Sequence, residues 1–240
     1  MEHLDLTLPT AAENLALDEA LLDEAESLGE TRETLRIWEA PRPAVVVGRS
    51  SRVEQEVCQE TCRALDIPVL RRVSGGAAVL AGPGCLMYAL VLDYRLRPEL
   101  RPIDKAHRWV LGRLAEALKP LAPAVACRGT SDLTNAREKI SGNSARCRRE
   151  HVLYHGTLLY DFPLPLIERC LRMPPRTPDY RQGRSHQRFL ANLHIDAAVL
   201  RQLLIEAFGA RHARDDWPTE QTARLVLEKY GRDGWNLAGA

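Results

Sequence analysis

No apolar run in the 240-residue sequence approaches the ~20 residues that a membrane-spanning helix needs, so no membrane is expected as partner. The first eight residues include Glu2 and Asp5 and lack the basic-then-apolar order of a secretory leader; a cytoplasmic location is expected. A net charge of +1 gives no electrostatic case for nucleic acid or an anionic lipid surface. Metal-type cysteine pairing is also missing. Of Cys58, Cys62, Cys85, Cys127, Cys147 and Cys170, only the first two stand at half-site spacing, and structural zinc needs a second half-site. A reduced, mostly buried set of thiols is expected instead. Neither a Walker loop nor a dinucleotide fingerprint occurs at the Gly-rich turn, and there is no repeat or low-complexity tract.

What is present is the ordinary balance of a globular chain, 45% hydrophobic and 27% charged, long enough for one core. One domain over residues 1–240 is expected, with no C-terminal accessory domain. Apolar residues at four-residue steps (Leu17, Leu21, Ala25) predict a helix over 14–26 with its acidic residues on the opposite face. The same logic predicts helices over 53–65, 104–118, 164–172 and 197–208. Strands are expected at 35–38, 44–48, 69–72, 85–93, 124–126, 139–144 and 151–160, and residues 174–187, rich in Pro and Arg, as a loop. Strands mixed with peripheral helices give an α+β class.

Two segments carry candidate chemistry. Arg71-Arg72-Val73-Ser74-Gly75-Gly76-Ala77 places two cations before a Gly pair. Glycine lets backbone N–H groups approach an anion, and arginine offers a planar donor fork; a plain hairpin turn fits the same spacing. The second segment joins Ser131-Asp132-Leu133, Lys139-Ile140-Ser141-Gly142-Asn143 and His155-Gly156-Thr157. A positioned Lys139 can hold a carboxylate or phosphate and offset charge during acyl transfer. Asp132 can accept a proton or meet Mg²⁺ on a nucleotide. Taken singly, such residues are more often an ordinary solvated lysine, turn aspartate or packed histidine.

In series these residues resemble the lipoate–protein ligase family of the biotin/lipoate ligase superfamily. Arg71-Arg72-x-Ser74-Gly75-Gly76 is similar to the family's lipoyl-binding loop, Ser131-Asp132-Leu133 to its Asn-Asp-Leu, and Lys139-Ile140-Ser141-Gly142 and His155-Gly156-Thr157-Leu158-Leu159 to its later motifs. Glu13–Asp18, Val45–Arg49 and Lys229-Tyr230…Trp235-Asn236 resemble its opening helix, its strand and its closing segment. The resemblance implies a mixed β-sheet flanked by helices, as in biotin ligases and class II aminoacyl-tRNA synthetases. It implies lipoate, ATP and Mg²⁺ as reactants and a lipoyl-adenylate intermediate. The acceptor would be a lysine of a lipoyl carrier domain, of the 2-oxoacid dehydrogenase acyltransferase or glycine-cleavage H protein type. Lys139 and Asp132 would be catalytic, with Arg71, Arg72, Ser74, Gly75, Gly76, Ala77, Gly142, His155 and Gly156 binding substrate; no metal would be held by protein alone.

Three features depart from the pattern. Ala77 stands for the third glycine; Leu80, Ala81 and Gly82 replace an aromatic-His-Asp run; and the accessory domain of two-domain members is expected to be absent, which makes a separate accessory subunit an expected partner. Gly82-Pro83-Gly84 resembles an octanoyltransferase stretch. A cysteine-dependent octanoyltransferase fed by acyl carrier protein is therefore the alternative, with Cys127 as candidate nucleophile if its pKa is lowered. A non-catalytic acyl- or carrier-binding protein is the second. The basic run Arg146-Cys147-Arg148-Arg149, with Arg181, Arg184 and Arg188, is a solvated face or a contact for an acidic carrier.

Overall fold

The computed structural model describes residues 1–29 and 31–238. Its strands are β1 (Glu2–Asp5), β2 (Thr34–Glu39), β3 (Ala44–Val47), β4 (Val69–Arg71), β5 (Val79–Ala81), β6 (Cys85–Asp93), β7 (Val125–Arg128), β8 (Asp132–Asn135), β9 (Glu138–Cys147), β10 (His151–Leu159) and β11 (His212–Ala213). Eight form a mixed sheet in the order β11-β1-β2-β6-β10-β9-β8-β7, and β4-β3-β5 form a small second sheet. The helices are α1 (Ala11–Leu28), α2 (Val53–Glu56), α3 (Gln59–Ala64), α4 (Ile103–Leu118), α5 (Leu164–Cys170), α6 (His186–Phe189), α7 (Ala197–Phe208), α8 (Thr219–Leu225) and α9 (Asp233–Asn236). No described helix is long and apolar enough to cross a membrane.

The large sheet is covered on both faces, so its central strands β6 and β10 are buried at every position. Their side chains alternate between two cores. Leu86, Tyr88, Leu90 and Leu92 of β6, with Val152, Tyr154 and Leu158 of β10, join the core that includes residues of α4 and α7. Cys85, Met87, Ala89 and Val91, with Leu153 and Leu159, join the core that takes in α1, the small sheet and α5. The candidate site lies on that second face.

Helix α1 starts three residues earlier than its apolar spacing predicts. Thr10 Oγ1 accepts from the Glu13 amide while the Glu13 carboxylate accepts from the Thr10 amide, a reciprocal cap that satisfies two otherwise orphaned donors. Its acidic residues also depart from expectation. Asp18 and Glu19 are buried, because each meets a specific partner: Glu19 takes Lys229 Nζ at 2.8 Å and the Tyr230 hydroxyl at 2.9 Å. Asp18 takes Arg36 Nη1 at 2.5 Å and Trp38 Nε1 at 3.3 Å. The helix expected over 53–65 is two helices, since Val57 turns to extended backbone (φ −122°, ψ 135°) and bridges Leu171. Strands β1, β5 and β8 and the helices after residue 218 were not expected from periodicity. The edge elements are short, and β8 alternates too few residues to register.

Arg36 is fully buried, and its fork also reaches the Asn14 and Leu6 carbonyls and Asn14 Oδ1. Removing one partner of such a pair strands a charge in the core. Asp18→Ala is expected to lower unfolding free energy by about 3–5 kcal/mol in urea titration, whereas a loss under about 1 kcal/mol would mean that Arg36 is solvated on loss of its partner.

Candidate active site

The Gly-rich turn between β4 and β5 is organised by Arg72. Its guanidinium donates to Ser74 Oγ at 3.1 Å and to the carbonyls of Val46 (3.0 Å), Gly75 (2.5 Å) and Ala77 (3.0 Å). A buried fork spent on four acceptors fixes the loop's shape. Within residues 74–77 only Gly76 has a positive φ, 90°, so Ala77 occupies backbone that carries a methyl group without strain. Among the described residues no acceptor takes the amides of Gly75, Gly76 or Ala77, which leaves them as donors for a ligand.

Arg71 lies elsewhere. It is 2% exposed and donates to the carbonyls of Gly48 (2.8 Å), Ser51 (2.8 Å), Trp235 (3.0 Å) and Ala238 (2.5 Å), while its amide donates to Asn236 Oδ1. Its donors are consumed in clipping the C-terminal segment against β4. Arg71 and Gly75 do not line the cavity described next, whereas Arg72, Gly76, Ala77, Asp132, Lys139, Gly142, His155 and Gly156 do.

That cavity measures about 440 Å³, within the ordinary range of small-molecule sites. Leu15, Val46, Met87, Leu159, Ile167 and Leu171 supply apolar wall. Polar groups gather on β8, β9 and β10. Lys139 Nζ lies 2.7 Å from Asp132 Oδ1. The contact depends on local geometry: a bulge near Leu133/Thr134 shifts the β8–β9 register, and Asp132 then faces Gly142. A Cβ on Gly142 would stand 2.9 Å from Lys139 Nζ, so a side chain there would push the amine off its path to the carboxylate.

Gly156 has the equivalent role on the neighbouring strand. Tyr88, Gly156 and Asn143 are cross-strand neighbours on β6, β10 and β9, and the Tyr88 hydroxyl reaches Asn143 Oδ1 across the gap. A Cβ there would be 1.8 Å from Asn143 Oδ1. The Asn143 amide nitrogen then donates to the Ser131 carbonyl (2.8 Å) and Ser141 Oγ (3.0 Å), tying the Asp132 turn to β9.

His155 connects the turn to the core. Its Nε2 is 2.5 Å from Ser74 Oγ, and its Nδ1 is 4.0 Å from Asp18 Oδ2. Arg36, Asp18, His155, Ser74 and Arg72 thus form one polar succession beneath the cavity. Sequence reasoning missed Asp18, Arg36, Tyr88 and Tyr180. An acidic residue within the apolar stripe of α1 was the available signal for Asp18; none marks Tyr180, whose hydroxyl donates to Asp132 Oδ2 at 2.7 Å.

All six cysteines are free. Cys85 is the one lining the cavity, with its thiol pushed up to about 12 by burial and by the Glu39 charge. Cys127 is exposed on β7 and lies off the cavity; burial of its thiol raises its pKa, opposed by Lys119. Cys62 and Cys170 are buried, and Cys147 is exposed. Arg148 pairs with Asp23 at 2.6 Å. Asp132 is the cavity's one carboxylate, and no group of three or more metal-ligating side chains occurs among the described residues. A divalent ion would depend on ligand oxygens for most of its shell.

The two-layer arrangement about a mixed sheet is that of the lipoate and biotin ligase catalytic fold. A bipartite lipoate protein ligase from Thermoplasma acidophilum, solved with its E2 lipoyl domain, has a TM-score of 0.84 at 22% identity, over 98% of this chain and 95% of that one. A lipoate-protein ligase A bound with ATP gives 0.81 at 21% identity, over 98% of each chain. Biotin protein ligase of Leishmania major gives 0.52 at 10% identity, over 94% of this chain and 79% of that one. The family model described as the lipoyl protein ligase A/B catalytic domain matches residues 10–211, and the chain belongs to that family. Its relatives include both ligases and acyltransferases. Lipoate–protein ligase 1 of Staphylococcus aureus is 24% identical over 97% of this chain and 71% of its own length. Octanoyltransferase LipM of Exiguobacterium sp. is 38% identical over 97% and 96%.

Gly156→Ala is expected to force Tyr88 and Asn143 apart and to cost about 1–3 kcal/mol of stability, as overpacked sites do. Chemical denaturation measures it; a neutral result would show that the Tyr88–Asn143 contact is dispensable.

Proposed function

We propose that this chain is a lipoate–protein ligase, joining lipoate to a lysine of a lipoyl carrier domain through lipoyl-adenylate. One observation carries the choice: the cavity places an ammonium, Lys139, beside an apolar slot and holds no thiol suited to attack. A thioester route needs a cysteine with a lowered pKa. Cys85 has a raised one, and Cys127 lies off the cavity.

In the first half-reaction a lipoate carboxylate oxygen attacks the α-phosphorus of ATP and pyrophosphate departs. The apolar walls hold the acyl chain, and the free amides of Gly76 and Ala77 face the activated group. Lys139 offsets the negative charge that gathers on phosphate and carbonyl oxygens. Asp132 would be the protein's contribution to an Mg²⁺ ion carried by the nucleotide. In the second half-reaction the carrier's lysine amine attacks the acyl carbon, a C–N bond forms and AMP leaves. Asp132 is placed to accept the amine proton if Lys139 turns toward the substrate.

The octanoyltransferase reading keeps support from the 38% identical relative. Intact-mass spectrometry of an unmodified lipoyl domain separates the two. Incubation with lipoate and MgATP should add a lipoyl group, and incubation with octanoyl-acyl carrier protein alone should add nothing; the reverse result would sink the ligase assignment. Lys139→Ala is expected to slow turnover about 10²–10³-fold, the usual loss for one electrostatic donor, with an unchanged circular dichroism spectrum. Cys127→Ser should keep wild-type turnover in the same assay.

A further inference from the structure

The segment from Arg172 to Leu190 crosses the cavity and returns along β9, where the Ala191 amide donates to the Lys139 carbonyl at 3.0 Å. Within it, Tyr180 is anchored several times over. Its ring stacks on Phe189 at 5.3 Å between centroids, and Phe189 in turn lies beneath the guanidinium groups of Arg181 and Arg184. Arg184 also donates to the Tyr180 carbonyl (2.9 Å) and to the Arg137 carbonyl (3.1 Å). Across from the ring lies Gly129, where a Cβ would stand 3.4 Å from Tyr180 Cε1, an ordinary contact distance.

Ring and backbone are therefore held without help from the hydroxyl. That hydroxyl reaches Asp132 Oδ2, the carboxylate oxygen left over when Oδ1 takes Lys139. Burial and the neighbouring Asp132 charge push the Tyr180 hydroxyl above its ordinary value, so it remains a protonated donor at neutral pH. A latch that must open would hang on its one polar bond; a hydroxyl delivered by a ring fixed elsewhere sets an orientation.

We propose that Tyr180 is a positioning residue. Its hydroxyl fixes the Asp132 carboxylate so that Lys139 is held over Gly142 at the cavity, ready for the acyl group. The proposal rests on the acyl-transfer reading of this site. It predicts that a side chain in a Pro- and Arg-rich loop, far from any catalytic motif, controls turnover through Asp132.

Tyr180→Phe keeps the ring and removes only the hydroxyl. With preformed lipoyl-adenylate and a lipoyl domain, kcat should fall about ten- to a hundredfold while KM stays within about twofold, the pattern of a lost orienting contact. In an Asp132→Asn background the same substitution should add nothing, because its route is already cut. A readout independent of turnover is acetylation of Lys139 by a small activated ester, followed by peptide mass spectrometry. It should run faster in Tyr180→Phe, where the Asp132 partner of Lys139 is no longer held in place. Unchanged kcat in an active enzyme, an additive loss in the Asp132→Asn background, or unchanged Lys139 labelling would each overturn the assignment. An inactive wild type would instead sink the ligase reading, and labelling alone would then decide for or against Tyr180.

Discussion

The site depends on one buried carboxylate. Asp18 descends from α1 between Arg36 and Trp38 of β2 and stands 4.0 Å from His155 Nδ1. His155 holds Ser74, and Ser74 accepts from Arg72, whose remaining donors shape the Gly-rich turn. A buried ion pair contributes little net stability once desolvation is counted, yet it penalises any arrangement that separates its members. Here that penalty fixes the register of α1 on the sheet, and through it the distance between turn and β10. Polar successions of this kind tolerate little slack, since each unsatisfied member in a low-dielectric interior is costly.

A second constraint is absence of side chain. The amine of Lys139 passes over Gly142, and the Tyr88 hydroxyl reaches past Gly156 to Asn143. Both glycines sit in strands, where they weaken the backbone relative to residues with side chains. The surrounding sheet tolerates this because β6 and β10 are covered on both faces, with β2, β6, β10 and β9 paired in sequence. Rigid strands then place polar groups that a loop would hold loosely. Met87 and Leu159 of the cavity wall and the Lys139–Asp132 pair all come from the large sheet, on β6, β10, β9 and β8.

Chemistry is divided along the cavity in the same way. Its apolar wall includes Cys85, whose thiol pKa is raised by burial; its polar lining carries Lys139, one carboxylate (Asp132), the guanidinium groups of Arg72, Arg176 and Arg181, and free loop amides. An acyl chain with an activated carboxyl end matches both halves. The replaced aromatic-His-Asp run after Val79 falls on β5, where Leu80 and Ala81 are buried beside β3. Of the two, Leu80 lines the cavity and adds apolar wall.

Much was legible in the sequence. The long helices announced themselves by a 3.6-residue period, and central strand β6 by a continuous apolar run, because a strand covered on both faces buries every position. The ordered series of short motifs carried the family, and within it Lys139, Asp132, Gly142, His155 and Gly156 all reach one cavity. Arg71 and Arg72 could not be told apart by sequence. Arg71 ends β4 and Arg72 opens the turn that follows, so one clips the C-terminal segment and the other shapes the turn. The burial of Asp18 and Glu19 was likewise hidden, since their partners Arg36, Lys229 and Tyr230 lie 18 to 211 positions away. Tyr180 was invisible for the same reason: nothing local in a loop says which carboxylate its hydroxyl will meet. Sequence by itself determined which segments bury apolar surface and which residue types could do the chemistry. Tertiary structure alone decided which charges are spent on architecture and which face the ligand, because pairing across the chain is set by packing and not by neighbours in sequence.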